Sequence, residues 1–144
     1  MKRLLQFGLA LLLATATLSA TAADAKGGDA AKSEQAKAYA AWVKAVKAGD
    51  LEAWKKVVPA EAAQQIAAQA KEMKKTPKDV LDFLGAMSPD ENTVTGLKVD
   101  GTKATLSVTG KTKGEPKPSY GKVEMIQEGG SWKVGKQSWS DKPE

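Results

Sequence analysis

The chain has 144 residues, with 22 basic and 17 acidic side chains, a formal net charge of +5 at pH 7, and neither Cys nor His. That length predicts one domain. Without His the Ser–His and Asp–His acid–base pairs are excluded, and without His or Cys a zinc site lacks its usual ligands. Stability must come from a hydrophobic core alone, which a chain of this size can bury.

Lys2 and Arg3 precede an apolar run over residues 4–14, followed by small residues ending in Ala20-Thr21-Ala22. This is the pattern of a secretory signal peptide over residues 1–22, with cleavage after Ala22, or after Ala23 as the near alternative. The competing reading, an uncleaved anchor, is disfavoured because the second half is Ala, Thr and Ser rather than lipophilic. The expected location is periplasmic or secreted, with no stable membrane insertion after cleavage. Arg3 is the only Arg, so the processed chain carries its positive charge on Lys alone. Residues 23–32 are small, polar and Gly-containing, and are expected to be a disordered linker. Residues 33–140 are expected to form a single α+β domain, with 141–144 a tail.

Four helices are expected. In the first, ending at Gly49, Tyr39, Trp42, Val43 and Val46 fall at i, i+3, i+4 and i+7 and make one apolar stripe. Asp50 caps a short second helix carrying Leu51, Trp54 and Val57. Pro59 opens a third at its first turn, with a thin inner face of Ala62, Ile66, Ala70 and Met73. Thr76-Pro77-Lys78-Asp79 starts a fourth, striped by Val80, Leu81 and Leu84 and stopped by Gly85. Residues 88–92 read as loop.

A four-strand antiparallel meander follows. Ala104, Leu106 and Val108 alternate with Lys103, Thr105, Ser107 and Thr109, a period of two that marks a half-buried strand. Asp100-Gly101 before it suggests a type I′ hairpin. Val123 and Met125 share one side of the next strand, and Gly129-Gly130 turns into Trp132-Lys133-Val134. Gly135 marks a bulge, after which Trp139 is expected to change face relative to Trp132 and Val134. Helices first and strands last predict an α+β fold with the helices packed on one sheet face.

The stretches Val46-Lys-Ala-Gly-Asp-Leu-Glu-Ala-Trp54 and Glu128-Gly-Gly-Ser-Trp-Lys-Val134, in an Ala-rich helical chain ending in a meander, resemble the nuclear transport factor 2-like, or cystatin-like, superfamily. The resemblance implies a cone in which a curved sheet wraps helices, often around an apolar pocket. It implies no activity, since such proteins include isomerases, dehydratases and binding proteins.

No phosphate-binding Gly loop is present, and no metal or other cofactor is expected. Acid–base chemistry by Asp79, Asp82 and Tyr39 is weighed against plainer roles: a cap, a solvated charge and a core phenol. The Lys-rich stretch with Lys111, Lys113, Lys117 and Lys122 suits an anionic envelope component, or simply solubilises a loop. Nucleic acid is disfavoured, since no Arg remains for bidentate contacts. The expected function is a non-enzymatic binding domain holding a small apolar molecule or a protein segment. Tyr39, Trp42, Leu106, Met125 and Trp132 are the candidate pocket residues, and Trp139 the residue for a pocket mouth. Surface interaction through the Lys-rich hairpin is the first alternative, a cofactor-free isomerase or hydrolase the second. The polar outer sheet face favours a monomer.

Overall fold

A computed structural model describes residues 25–143. The signal peptide and its cleavage site lie outside the described residues. The chain order is β1 (Ala25–Lys26), α1 (Gly27–Ala31), α2 (Glu34–Ala48), α3 (Leu51–Lys56), α4 (Ala60–Glu72), α5 (Pro77–Met87), then β2 (Glu91–Asp100), β3 (Lys103–Lys111), β4 (Ser119–Glu128) and β5 (Ser131–Ser140). The fold is α+β, with helices on one face of a sheet ordered β1-β2-β3-β4-β5 and antiparallel throughout.

The helix boundaries follow local chemistry. Ser33 Oγ accepts from the Ala36 N–H at 3.1 Å, and the Asp50 carboxylate accepts from the Ala53 N–H at 3.1 Å, so both helix starts are capped. Gly49 closes α2 in the left-handed region at φ +65°, where a Cβ is costly. Thr76 and Asp79 form a reciprocal capping box at the start of α5. Pro59 is the N-cap of α4 rather than its first helical residue.

Several expectations are corrected. Of the expected linker, residues 25–31 take regular secondary structure. Ala25 and Lys26 pair with Leu97 and Gly96 as a fifth strand, and Ala30 in α1 is fully buried. A small residue is what lets α1 lie against β2, so the Ala content that suggested a linker serves close packing instead. Gly85 does not stop α5, which continues to Met87. Met73, expected on the inner face of α4, is its exposed C-cap.

The first hairpin also differs. Asp100 pairs with Lys103, so the two-residue turn is Gly101-Thr102, with positive φ at Gly101 only. The type I′ pattern occurs instead at Gly129 and Gly130, at φ +61° and +79°, between the paired Glu128 and Ser131.

Two bulges curve the sheet. On β2 the register shifts between Val94 and Gly96; on β5 the extra residue lies at Gly135–Lys136 opposite Glu124. The second bulge reverses the expected fate of Trp139. Simple alternation from Val134 would send residue 139 to the outer face. The extra residue restores the phase, so Gln137 and Trp139 join Trp132 and Val134 on the inner face, opposite Val123 and Gly121.

The core lies between this inner face and the helices. Leu81, Leu106, Met125, Val46, Val108, Val123 and Val134 are its fully buried side chains, joined by Tyr39, Trp42 and Trp54. Burial of such side chains contributes about 1.5–3 kcal/mol each before chain entropy is subtracted. No helix among the described residues is long and apolar enough to cross a membrane.

Candidate functional site

The inner layer is not filled everywhere. A cleft of about 590 Å³ opens between the helices and the β5 end of the sheet. Trp42 of α2, Trp54 of α3, Leu84 of α5, and Val134 and Trp139 of β5 form its apolar walls, with Met87 at the rim. Met87 is 71% exposed. Polar groups are few: Ser88, Thr112, Ser119 and Gln137, and one charged side chain, Glu115.

The space exists because of the glycines and the bulge. Trp139 is seated over Gly110 and Gly121, where an ideal Cβ would fall 3.0 Å and 2.8 Å from its ring atoms. A larger residue at Gly121 would push the indole outward, and one at Gly110 would meet Pro89 first, at 2.5 Å, and then the indole. Trp42 is held from the other side by Tyr39, with ring centroids 6.0 Å apart and planes 12° from parallel. The Trp54 Nε1 is buried with no hydrogen-bond partner among the described residues. Since Trp54 nevertheless lines the cleft, it meets that space through ring carbons, not through its donor.

Of the five residues read from the sequence as pocket-lining, only Trp42 lies on the cleft. Leu106 and Met125 are fully buried in the closed core. Trp132 packs against the core from the inner face without lining the cleft. Tyr39 is turned to the far side of α2, where its hydroxyl donates to Asn92 Oδ1 at 3.2 Å and it borders a separate hollow against β2. Burial pushes its phenol up to about 12. Trp139 lines the cleft. From the sequence it is expected at a pocket mouth but turned by the bulge at Gly135 to the opposite face, whereas the bulge keeps it on the inner one. Glu115, in an irregular loop far in sequence from β5, carried no comparable signal.

The carboxylates considered for acid–base work lie elsewhere. Asp79 accepts from the Thr76 backbone N–H at 2.9 Å and from its hydroxyl at 2.7 Å. The Thr76 backbone hydrogen bond, helped by the side-chain one, holds this carboxyl below its ordinary range. Asp82 pairs with Lys78 at 2.8 Å on the exposed face of α5, and that pairing raises the Lys78 ammonium. Neither acid reaches the cleft or Tyr39's hollow, so the three groups are not brought together.

The four lysines read as a surface patch do not converge either. Lys111 ends β3, and Lys113 and Lys117 lie in the loop to β4, where the Lys113 backbone N–H donates to Asp90 at 2.7 Å. Lys122 is on the outer sheet face. There it borders a groove of about 830 Å³ with Lys98, Lys136 and Glu124 around a floor that includes Thr105, Ser107 and Ser138. A floor of short hydroxyl side chains with mixed charges is what the solvated side of a half-buried sheet presents.

The sequence matches no protein-family model, and a search of curated proteins returns no match. Among solved structures, the chain is similar to an NTF2-like protein of unknown function from Shewanella baltica OS155. The two are 11% identical with a TM-score of 0.47, over 77% of this chain and 93% of that one.

Proposed function

We propose that the protein is an exported binding protein that takes a small, largely apolar molecule into the cleft between its helices and sheet. The observation that carries this reading is the cleft itself. It holds about 590 Å³ of space walled by three indoles and aliphatic side chains, with a handful of polar groups at its edge. Sites of that size and lining bind by burial, and their few polar groups fix orientation. The acids and the phenol considered for catalysis are occupied elsewhere, which favours binding over chemistry at this site.

A neutral apolar dye such as Nile red tests the reading. Its emission should rise on mixing, Trp fluorescence should change, and the melting temperature should increase with dye concentration by mass action. Trp139→Ala should weaken dye binding several-fold, while Lys122→Ala on the outer face should leave it unchanged. Dye binding that ignores Trp139 would move the site elsewhere. Export is tested separately by the intact mass of the protein recovered outside the cytoplasm, with an N-terminus at Ala23 expected. A product retaining Met1 would overturn it.

A further inference from the structure

We propose that the cleft's ligand is an organic cation, a quaternary or tertiary ammonium group on a short hydrocarbon body. The inference rests on the cleft being the binding site and specifies what it takes. Three of the chain's four Trp line this one opening. An aromatic ring is negative on its face, so a group of indoles around one opening attracts a cation that carries its own methyl groups, and this is how ammonium ligands are recognised.

The distribution of charge points the same way. Among the described residues no basic side chain lines the cleft, whose one charged side chain is the carboxylate of Glu115. In a chain with a cationic excess, that sorting leaves a carboxylate and no ammonium on the lining. Lys47 is the basic group tied to a rim residue. Its ammonium donates to the Ser88 carbonyl at 2.8 Å and lies 3.8 Å from Asp90, so it is held beside the rim with a carboxylate for a neighbour and does not line the space. Lys113 and Lys117 share the loop of Glu115 but do not line the space.

The indoles are also held in place. Trp42 is backed by Tyr39 and Trp139 by Gly110 and Gly121. Trp54 has its N–H sealed in the core, so the donor that a neutral hydrogen-bond acceptor would seek is not offered to the ligand. Walls fixed before binding spare the ligand the cost of ordering them. Leu84, Met87 and Val134 supply the aliphatic surface for the hydrocarbon body.

Three probes of nearly the same shape separate charge from burial: choline, its neutral carbon isostere 3,3-dimethylbutan-1-ol, and the anionic 3,3-dimethylbutanoate. Titrated against Trp fluorescence of the purified protein, choline should bind about tenfold more tightly than the alcohol, and the carboxylate weakest. Glu115→Gln, in an exposed loop and so harmless to folding, should cut the affinity for choline about threefold and leave the alcohol unaffected. Raised salt should weaken choline alone. Equal or tighter binding of the alcohol would overturn the cation inference while the apolar cleft stands. Nile red binding with no effect of choline would do the same, whereas failure of the dye and all three probes would overturn both.

Discussion

Trp139 occupies the space that a side chain at Gly121 would need: a Cβ built there falls 2.8 Å from three atoms of the indole. The two residues are cross-strand partners on β4 and β5, so the missing side chain on one is the seat of the other. The cleft's floor is therefore written in two residues of different strands, one of them a glycine.

Gly121→Ala should lift the indole into the cleft. The ring can move where backbone could not, so a loss of about 1–2 kcal/mol in stability is expected, with Nile red affinity reduced several-fold. In a Trp139→Ala background the same substitution should be nearly neutral, because nothing is left to displace. Chemical denaturation of the four proteins in this cycle gives the answer. Additive losses would show that Gly121 is required for another reason.

Gly85 makes a harsher approach. Its Cβ would meet the Val46 carbonyl oxygen and carbon of α2 at 2.2 Å and 2.9 Å, and neither is a side chain that can swing aside. Ala is otherwise the better helix former by about 1 kcal/mol, so two effects compete. The clash should win, and Gly85→Ala should cost about 3 kcal/mol or more, at or above the upper end of the range for overpacking. Ala86→Gly, one residue on and exposed, should cost about 1 kcal/mol from propensity alone. If Gly85→Ala proves stabilising in a urea melt, α2 and α5 are not packed backbone to backbone.

Much of the fold was legible because period and punctuation agree. Ala104, Leu106 and Val108 are buried as their alternation requires, and Asp50 and Thr76 cap the helices they precede. What sequence reasoning missed depends on contacts between distant segments. Gly85 looks like a stop signal locally, and only the crossing of α2 shows why it lies inside a helix. Residues 25–31 look like a linker until β2 offers them an edge and a core site for Ala30. The site was less legible than the fold for the same reason. Leu106 and Met125 have the chemistry of pocket walls, but both are fully buried in the closed core, and the opening is left beside β5.

Tyr39 gives the fold a pH dependence with a definite sign. Its phenol, buried and donating to Asn92, holds its proton to about 12, whereas in the unfolded chain it titrates near its ordinary value of about 10. Between these values the unfolded chain has lost a proton that the folded one keeps. The stability it contributes is therefore complete below about pH 10 and is lost as pH rises through the folded value, by about 2–3 kcal/mol in total. Lys78, also raised when folded, adds a loss of the same sign, so the Tyr39 part must be isolated by substitution. Tyr39→Phe removes the hydrogen bond to Asn92 and should cost about 0.5–1.5 kcal/mol at pH 7. It also removes the titration, so its stability should fall less steeply in alkali. The two stability curves, measured by urea denaturation at intervals from pH 7 to 12, should cross near about pH 11. Parallel curves would mean that the Tyr39 phenol ionises as freely in the folded protein as in the unfolded chain, and that its hydroxyl is open to solvent.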